Sequence, residues 1–324
     1  MQSGKVSYNV LKRSVIRPAA GSAHALSAVG VGEDGSVFSM EKDGVFVMST
    51  NPVMISGEDD CYWGVWRCLA DIYSCGGTPA GIQDTIILPT DMEEEKLQSF
   101  MKQLAQVCQK AGVPLLGGHT TVSEAVSKMV VTLTAIGSAK EPPVRPDAGW
   151  DLVVTRWIGL GGTVLLAKEK EQELAKHYTL DFISGAKNLM PDGQWGVEAR
   201  IGARLGAAMH NLSEGGVLGG LWELMERGSL GMEVQLKHIP IRQETVELSE
   251  YFGLNPYQMF SPGSYLMAVP NGEKLAEELE RAGIPAAIIG RTTAEKARIL
   301  YRDEEVRYLD RPAQDELYRM GILY

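Results

Sequence analysis

The chain has 324 residues, 44% of them hydrophobic and 22% charged, and 41 acidic residues against 31 Lys and Arg give a net charge of −10. This composition excludes a disordered or fibrous chain, the lack of a run of ~18 apolar residues opposes a membrane span, and the acidic surplus opposes a nucleic-acid partner. At roughly 100–200 residues per domain, two domains are expected.

The opening stretch, MQSGKVSYNVLKRSVI, lacks the continuous apolar segment and small-residue cleavage site of a secretory signal, so a cytoplasmic location is expected. Val45–Thr50, Thr85–Leu88 and Val130–Ile136 read as strands. Between them, residues 62–75 and 93–111 read as helices, the second opened by Asp91 as its cap. Cys61, Cys68, Cys75 and Cys108 lack paired CxxC spacing and fit a reducing compartment. Seven-residue steps put three of these thiols on one helix face, where burial as small hydrophobes is favoured over a metal or cluster. The segment Ala139–Trp150, with three prolines and a glycine, is the expected boundary and divides 1–145 from 146–324.

Beyond it, Leu152–Thr155 reads as a strand, and the glycine-rich turn Ile158–Thr163 leads into an apolar helix at 164–167. Helices are expected at 198–209, 217–227 and 274–282, with strands at Tyr265–Val269 and Ala286–Ile289. Strands and helices alternate, so the fold class is α/β or α+β in two halves of similar size.

Four short segments could carry chemistry. Gly32-Glu-Asp-Gly-Ser-Val-Phe38 is an acidic turn ahead of a strand that ends in Ser49-Thr-Asn-Pro52; its carboxylates suit magnesium, and from the residues alone a solvated Asp-Gly turn is the favoured reading. Ala70-Asp-Ile-Tyr-Ser-Cys-Gly-Gly-Thr-Pro79 puts one acid, Asp71, in an apolar helix stopped by a Gly-Gly cap, so Asp71 must reach solvent, pair or hold a cation. Leu115-Leu-Gly-Gly-His-Thr-Thr121 sets a glycine pair after an apolar strand. Met209-His-Asn-Leu-Ser-Glu-Gly-Gly216 is a polar turn before a helix whose first amides could hold an anion.

Together and in this order, the four segments resemble the superfamily of aminoimidazole ribonucleotide synthetase, thiamine-monophosphate kinase, selenophosphate synthetase and the hydrogenase maturation factor that dehydrates a carbamoyl thioester. Gly32–Val37 is similar to that superfamily's Gly-Asp-Asp-Ala-Ala-Val, Asp71–Pro79 to its Ser-Asp-x-x-Ala-Met-Gly-Ala-x-Pro, Gly117–Thr120 to its Gly-Gly-Asp-Thr, and Met209–Gly216 to its His-Asp-x-Thr-Glu-Gly-Gly. Thr155–Thr163 and Phe260-Ser-Pro-Gly-Ser264 are most similar to the hydrogenase-maturation branch. The resemblance implies two α/β domains, with N-terminal domains pairing into a shared barrel in a homodimer. It also implies ATP in a cleft lined by both domains and the dimer interface, and activation of an oxygen by phosphoryl transfer with magnesium bridging the phosphates.

By the same resemblance, Asp34, Asn51, Asp71, Gly117, Gly118, His119, Thr120, Asn211, Gly215 and Gly216 are the nucleotide-site positions, and Asp34 and Asp71 the magnesium ligands. Three positions that are acidic in the superfamily are Asn51, His119 and Asn211 here, so the site has lost charge. Either Glu33, Asp59, Asp60, Asp84 or Glu214 compensates, or ATP is bound weakly or not at all; the alternative function is a non-catalytic dimeric binding or assembly protein. The hydrogenase factor's C-terminal cysteine has no counterpart in Met320–Tyr324, and the first cysteine is Cys61, so neither the carbamoyl nor the selenium chemistry carries over. His24 reads as a lid or a plain surface loop, His210 as orienting its turn, and His177 and His238 as surface residues. Tyr62, Trp63 and Trp66 are expected to serve core or dimer packing rather than base stacking.

Overall fold

The computed structural model describes residues 8–16, 32–39, 44–53, 60–190 and 195–323. Two mixed sheets organise the molecule. The N-terminal sheet comprises β1 (Ser36–Ser39), β2 (Val45–Pro52), β3 (Thr78–Leu88), β4 (Leu115–Val122) and β5 (Val130–Ala139), in the spatial order β1, β2, β5, β3, β4. Only β3 and β4 run parallel, joined through a helix as a parallel pair requires. The sheet is open, with β1 and β4 at its edges.

The C-terminal sheet has seven strands: β6 (Asp151–Thr155), β7 (Ala208–Asn211), β8 (Gly231–Gln235), β9 (Tyr265–Val269), β10 (Ala286–Thr293), β11 (Arg298–Arg302) and β12 (Glu305–Tyr308). Their order is β12, β11, β8, β10, β6, β9, β7. The two-domain α/β architecture expected from the sequence is present.

Helix α1 (Asp60–Ser74) is buried almost all round because it has neighbours on two sides. One side lies on the inner face of the N-terminal sheet, where the Cys68 thiol donates to the Leu133 carbonyl at 3.3 Å. The other side meets the C-terminal domain: the rings of Trp66 and Trp195 lie 4.6 Å apart, and those of Trp63 and Phe260 5.7 Å apart. The aromatic patch is therefore core, as expected, and joins the two domains. All four cysteines are buried and none forms a disulfide, in keeping with small hydrophobes. Helix α2 (Glu94–Ala111) buries only the stripe Phe100, Leu104 and Cys108, at helical spacing.

Several element boundaries differ from the sequence reading. Helix α2 is capped at Glu93 rather than Asp91, with no side-chain bond to the first turn. Strand β3 reaches back to Thr78, tolerating Pro79 through a register shift, and β4 runs through Gly117-Gly118 rather than ending before them. Helix α3 begins at Leu160 and includes the glycine pair 161–162; a Cβ on Gly161 would lie 2.7 Å from Pro262, so these glycines admit the Met259–Pro262 segment. Helix α4 stops at Arg204, where Gly206, at a φ of 72°, turns the chain so that Met209 lies in a strand. Helix α5 (Gly216–Gly228) starts one residue earlier than expected. Among the described residues no helix is long and apolar enough to cross a membrane.

Candidate functional site

An acid cluster lies at the seam between the domains. Buried Val45, Val47 and Ser49 alternate with exposed Phe46, Met48 and Thr50 along β2, which turns Ser49 and Asn51 toward α1. Asp71 and Ser74 reach the same space from the last turns of α1, and Asp34 from the turn before β1. The C-terminal domain contributes His210 and Asn211 from β7 and Glu223 from α5.

Each carboxylate meets three groups. Asp71 Oδ2 accepts from Ser49 Oγ and from Asn51 Nδ2, both at 2.6 Å, and its Oδ1 accepts from Asn211 Nδ2 at 3.0 Å. Asp34 Oδ2 accepts from Ser74 Oγ at 2.8 Å and from the Asn211 backbone amide at 3.0 Å. Asp34 Oδ1 lies 2.6 Å from His210 Nδ1, and the other ring nitrogen is 3.0 Å from Glu223 Oε2.

Burial pushes the Asp71 carboxyl up to about 6, the Asp34 charge adds to this, and the bonds from Ser49, Asn211 and Asn51 pull it back. Burial also opposes ionisation of Asp34, but His210 and Arg227 outweigh it and hold that carboxyl below its usual range. For His210, burial disfavours the cation, and Asp34 and Glu223 overcome it, raising the ring to about 9. His210 is thus an imidazolium at neutral pH, held between two carboxylates, and it ties the Asp34 turn to β7.

The remaining expected positions do not join this cluster within one chain. The register runs Asn51, Leu133, Asp84, Gly118 straight across the sheet, so Gly118 is three strand spacings, about 14 Å, from Asn51. His119 pairs with Thr85, which is exposed on the outer face, and so projects away from Asp71. Gly117 and Thr120 lie on the same edge strand and are also exposed.

Gly215 and Gly216 open α5, but the Gly215 amide donates to Asp315 Oδ2 at 2.8 Å. A Cβ on Gly216 would sit 2.5 Å from the Tyr257 carbonyl, so this glycine admits a neighbouring backbone. The expectation that this turn holds an anion is corrected for Gly215: the acceptor is a carboxylate of the chain itself. Asp315 also accepts from the Leu317 amide at 3.0 Å, at the start of the short helix Glu316–Arg319, and burial pushes it up to about 7.

None of the described acids proposed as substitutes compensates at the cluster. Glu33 pairs with Arg145 at 2.7 Å, Glu214 pairs with Arg67 at 3.1 Å, and Asp84 lies against Gly118. Asp59 and His24 lie outside the described residues, and of Asp60 only the backbone is described. His177 and His238 are exposed, as expected.

The magnesium that the resemblance implies does not fit the residues present. N–H and O–H donors already meet the oxygens of Asp34 and Asp71, and Asn51 and Asn211 turn amide nitrogens toward Asp71, leaving the Asn211 Oδ1 as a lone buried oxygen without a partner among the described residues. Among the described residues, no three His, Cys, Asp or Glu side chains are arranged to hold a metal ion.

Sequence reasoning missed Glu223, Asp315 and the Arg67–Glu214 pair. Glu223 was findable: it follows Gly219 and Gly220 by four and three residues, so one helix face brings all three to β7, where a Cβ on Gly220 would approach the His210 ring. Asp315 carried no local signal, because its partner is 100 residues away. A cleft of about 600 Å³ opens beside the cluster, between Ser74–Thr78, Ala139–Val144 and Met209.

Comparison with known proteins supplies the lineage. Residues 32–139 match the family described as AIR synthase related protein, N-terminal domain, and residues 147–302 its C-terminal domain. The carbamoyl dehydratase HypE of Rhodobacter capsulatus is 26% identical over 282 residues, 84% of this chain and 80% of that protein. The structure of a HypE–HypF complex superimposes with a TM-score of 0.73 at 18% identity, over 93% of this chain and 99% of that one. A hydrogenase maturation protein HypE in complex with ATP gives a TM-score of 0.71 at 18% identity, over 97% of both chains. With both halves matched in order and the same two-domain fold, the chain belongs to the AIR synthase related family.

Proposed function

We propose that this chain is a homodimeric ATP-binding protein, with domains divided at 145/146, that activates an oxygen of a small substrate or partner group by phosphoryl transfer. The observation that carries the reading is the match of both family domains along 32–302, a family whose relatives include a protein solved with ATP. The cleft beside the seam has a volume typical of small-molecule sites. Within one chain His119 faces the outer side of the sheet and Gly118 lies about 14 Å across it from Asn51, so a nucleotide touching both His119 and the acid cluster would draw on a second copy. The net charge of −10 favours a cytoplasmic protein with a small-molecule or protein partner over one that binds nucleic acid.

A second reading, a non-catalytic dimeric binding or assembly protein, is favoured by one observation: donors of the chain itself surround Asp34 and Asp71. Calorimetric titration with ATP, in EDTA and in magnesium, together with an assay for ADP release, separates the two. Saturable binding with slow ADP release supports the enzyme; binding without turnover supports the second reading. No binding in either buffer removes ATP from both.

A further inference from the structure

Asn51 and Asn211 stand at two of the positions where the family resemblance implies magnesium-binding acids, and their geometry shows what the change accomplishes. Both amides donate to Asp71, at 2.6 and 3.0 Å. Turning either amide over would set its oxygen against a carboxylate oxygen at the same distance, so the donating orientation is the one the neighbours enforce. Asn211 acts twice: its backbone amide donates to Asp34 while its side chain donates to Asp71. With His210 beside the first carboxylate and Ser49 and Ser74 completing the set, three of the roughly four lone-pair positions of each carboxylate are occupied.

These contacts cross the domain seam. Asp34, Ser49, Asn51, Asp71 and Ser74 belong to the N-terminal domain, and His210, Asn211 and Glu223 to the C-terminal domain. We infer that the cluster is a metal-independent clasp: amide and imidazolium donors take the role a divalent cation would have between the carboxylates and hold the two domains together without one. An acid at 51 or 211 would place a third carboxylate within hydrogen-bonding distance of Asp71, an arrangement that a metal cation or a shared proton would have to stabilise.

The test uses the full chain without nucleotide, so its outcome is independent of whether ATP binds. Thermal unfolding is followed in EDTA and in millimolar magnesium chloride, for the wild type and for the Asn51→Asp/Asn211→Asp variant. The clasp requires the wild type to unfold within about 1 °C of the same temperature in both buffers. The variant should lose roughly 5–10 °C in EDTA and recover part of that loss in magnesium. A loss without recovery still supports the clasp, because the claim concerns the wild-type donors. Stabilisation of the wild type by several degrees in magnesium overturns it, as does a variant that unfolds like wild type in EDTA. Should the variant not fold, a manganese titration of the wild type followed by electron paramagnetic resonance decides: bound manganese below millimolar concentration overturns the clasp, and a free-ion spectrum throughout supports it.

Discussion

The two faces of the N-terminal sheet are built from the same strands and have opposite fates. On the inner face, Val47, Ser49, Leu133 and Ile82 are covered by α1, and α1 is in turn covered by the C-terminal domain through Trp195 and Phe260. On the outer face the intervening residues leave large side chains in solvent: Phe46 is 40% exposed, Leu116 49% and Val130 42%. One chain completes the first surface by itself and leaves the second partly open to solvent. Several large apolar side chains left exposed on one sheet face are a mark of a protein contact. The aromatic patch of α1 is thus consumed within the chain, and the case for a dimer rests on the alternate residues of β2, β4 and β5.

The strongest way to break the comparison is to hollow out the covered side. Trp66→Ala removes a ring packed at a tilt against Trp195 and should cost about 3–5 kcal/mol, lowering the unfolding temperature by roughly 10 °C. Circular dichroism on heating reads it directly, and a loss near zero would mean that the seam does not contribute to folding stability.

The open side should respond in assembly more than in stability. Phe46→Glu with Met48→Glu places charges where solvent already reaches, so the folded monomer should survive while a dimer separates. Sedimentation velocity should shift from two chain masses to one. Persistence of the heavier species would assign the contact to another surface.

The smallest effect expected is a pH slope from the seam. His210 titrates near 9 when folded and near its ordinary 6.5 when unfolded, so its contribution is complete below about 6.5 and is lost as pH rises through about 9. Unfolding temperature should fall by a few degrees across that window, and His210→Gln should flatten the slope. An equal slope in the variant would place the titrating group elsewhere.

These contrasts also show what was legible beforehand. Strand alternation in β2 announces which residues are covered, and the acid set in α1 announces that something must meet Asp71. Whether Asn51 and Asn211 give or accept a hydrogen bond was not legible, because an amide offers both and only the group across from it decides. The face of His119 was lost with one boundary: reading Gly117-Gly118 as a turn hides the parity that continues through β4 and turns the imidazole outward. The Gly215 turn misled in the same way, since its acceptor arrives from Asp315, far along the chain.

The Trp66–Trp195 pair has one more consequence. Two indoles from different domains, 4.6 Å apart and inclined by 40°, are close enough for their electronic transitions to couple. The protein therefore carries an intrinsic optical ruler across its seam: a couplet in the ultraviolet circular dichroism that fades when the domains part, and that reports opening or closing without any attached dye.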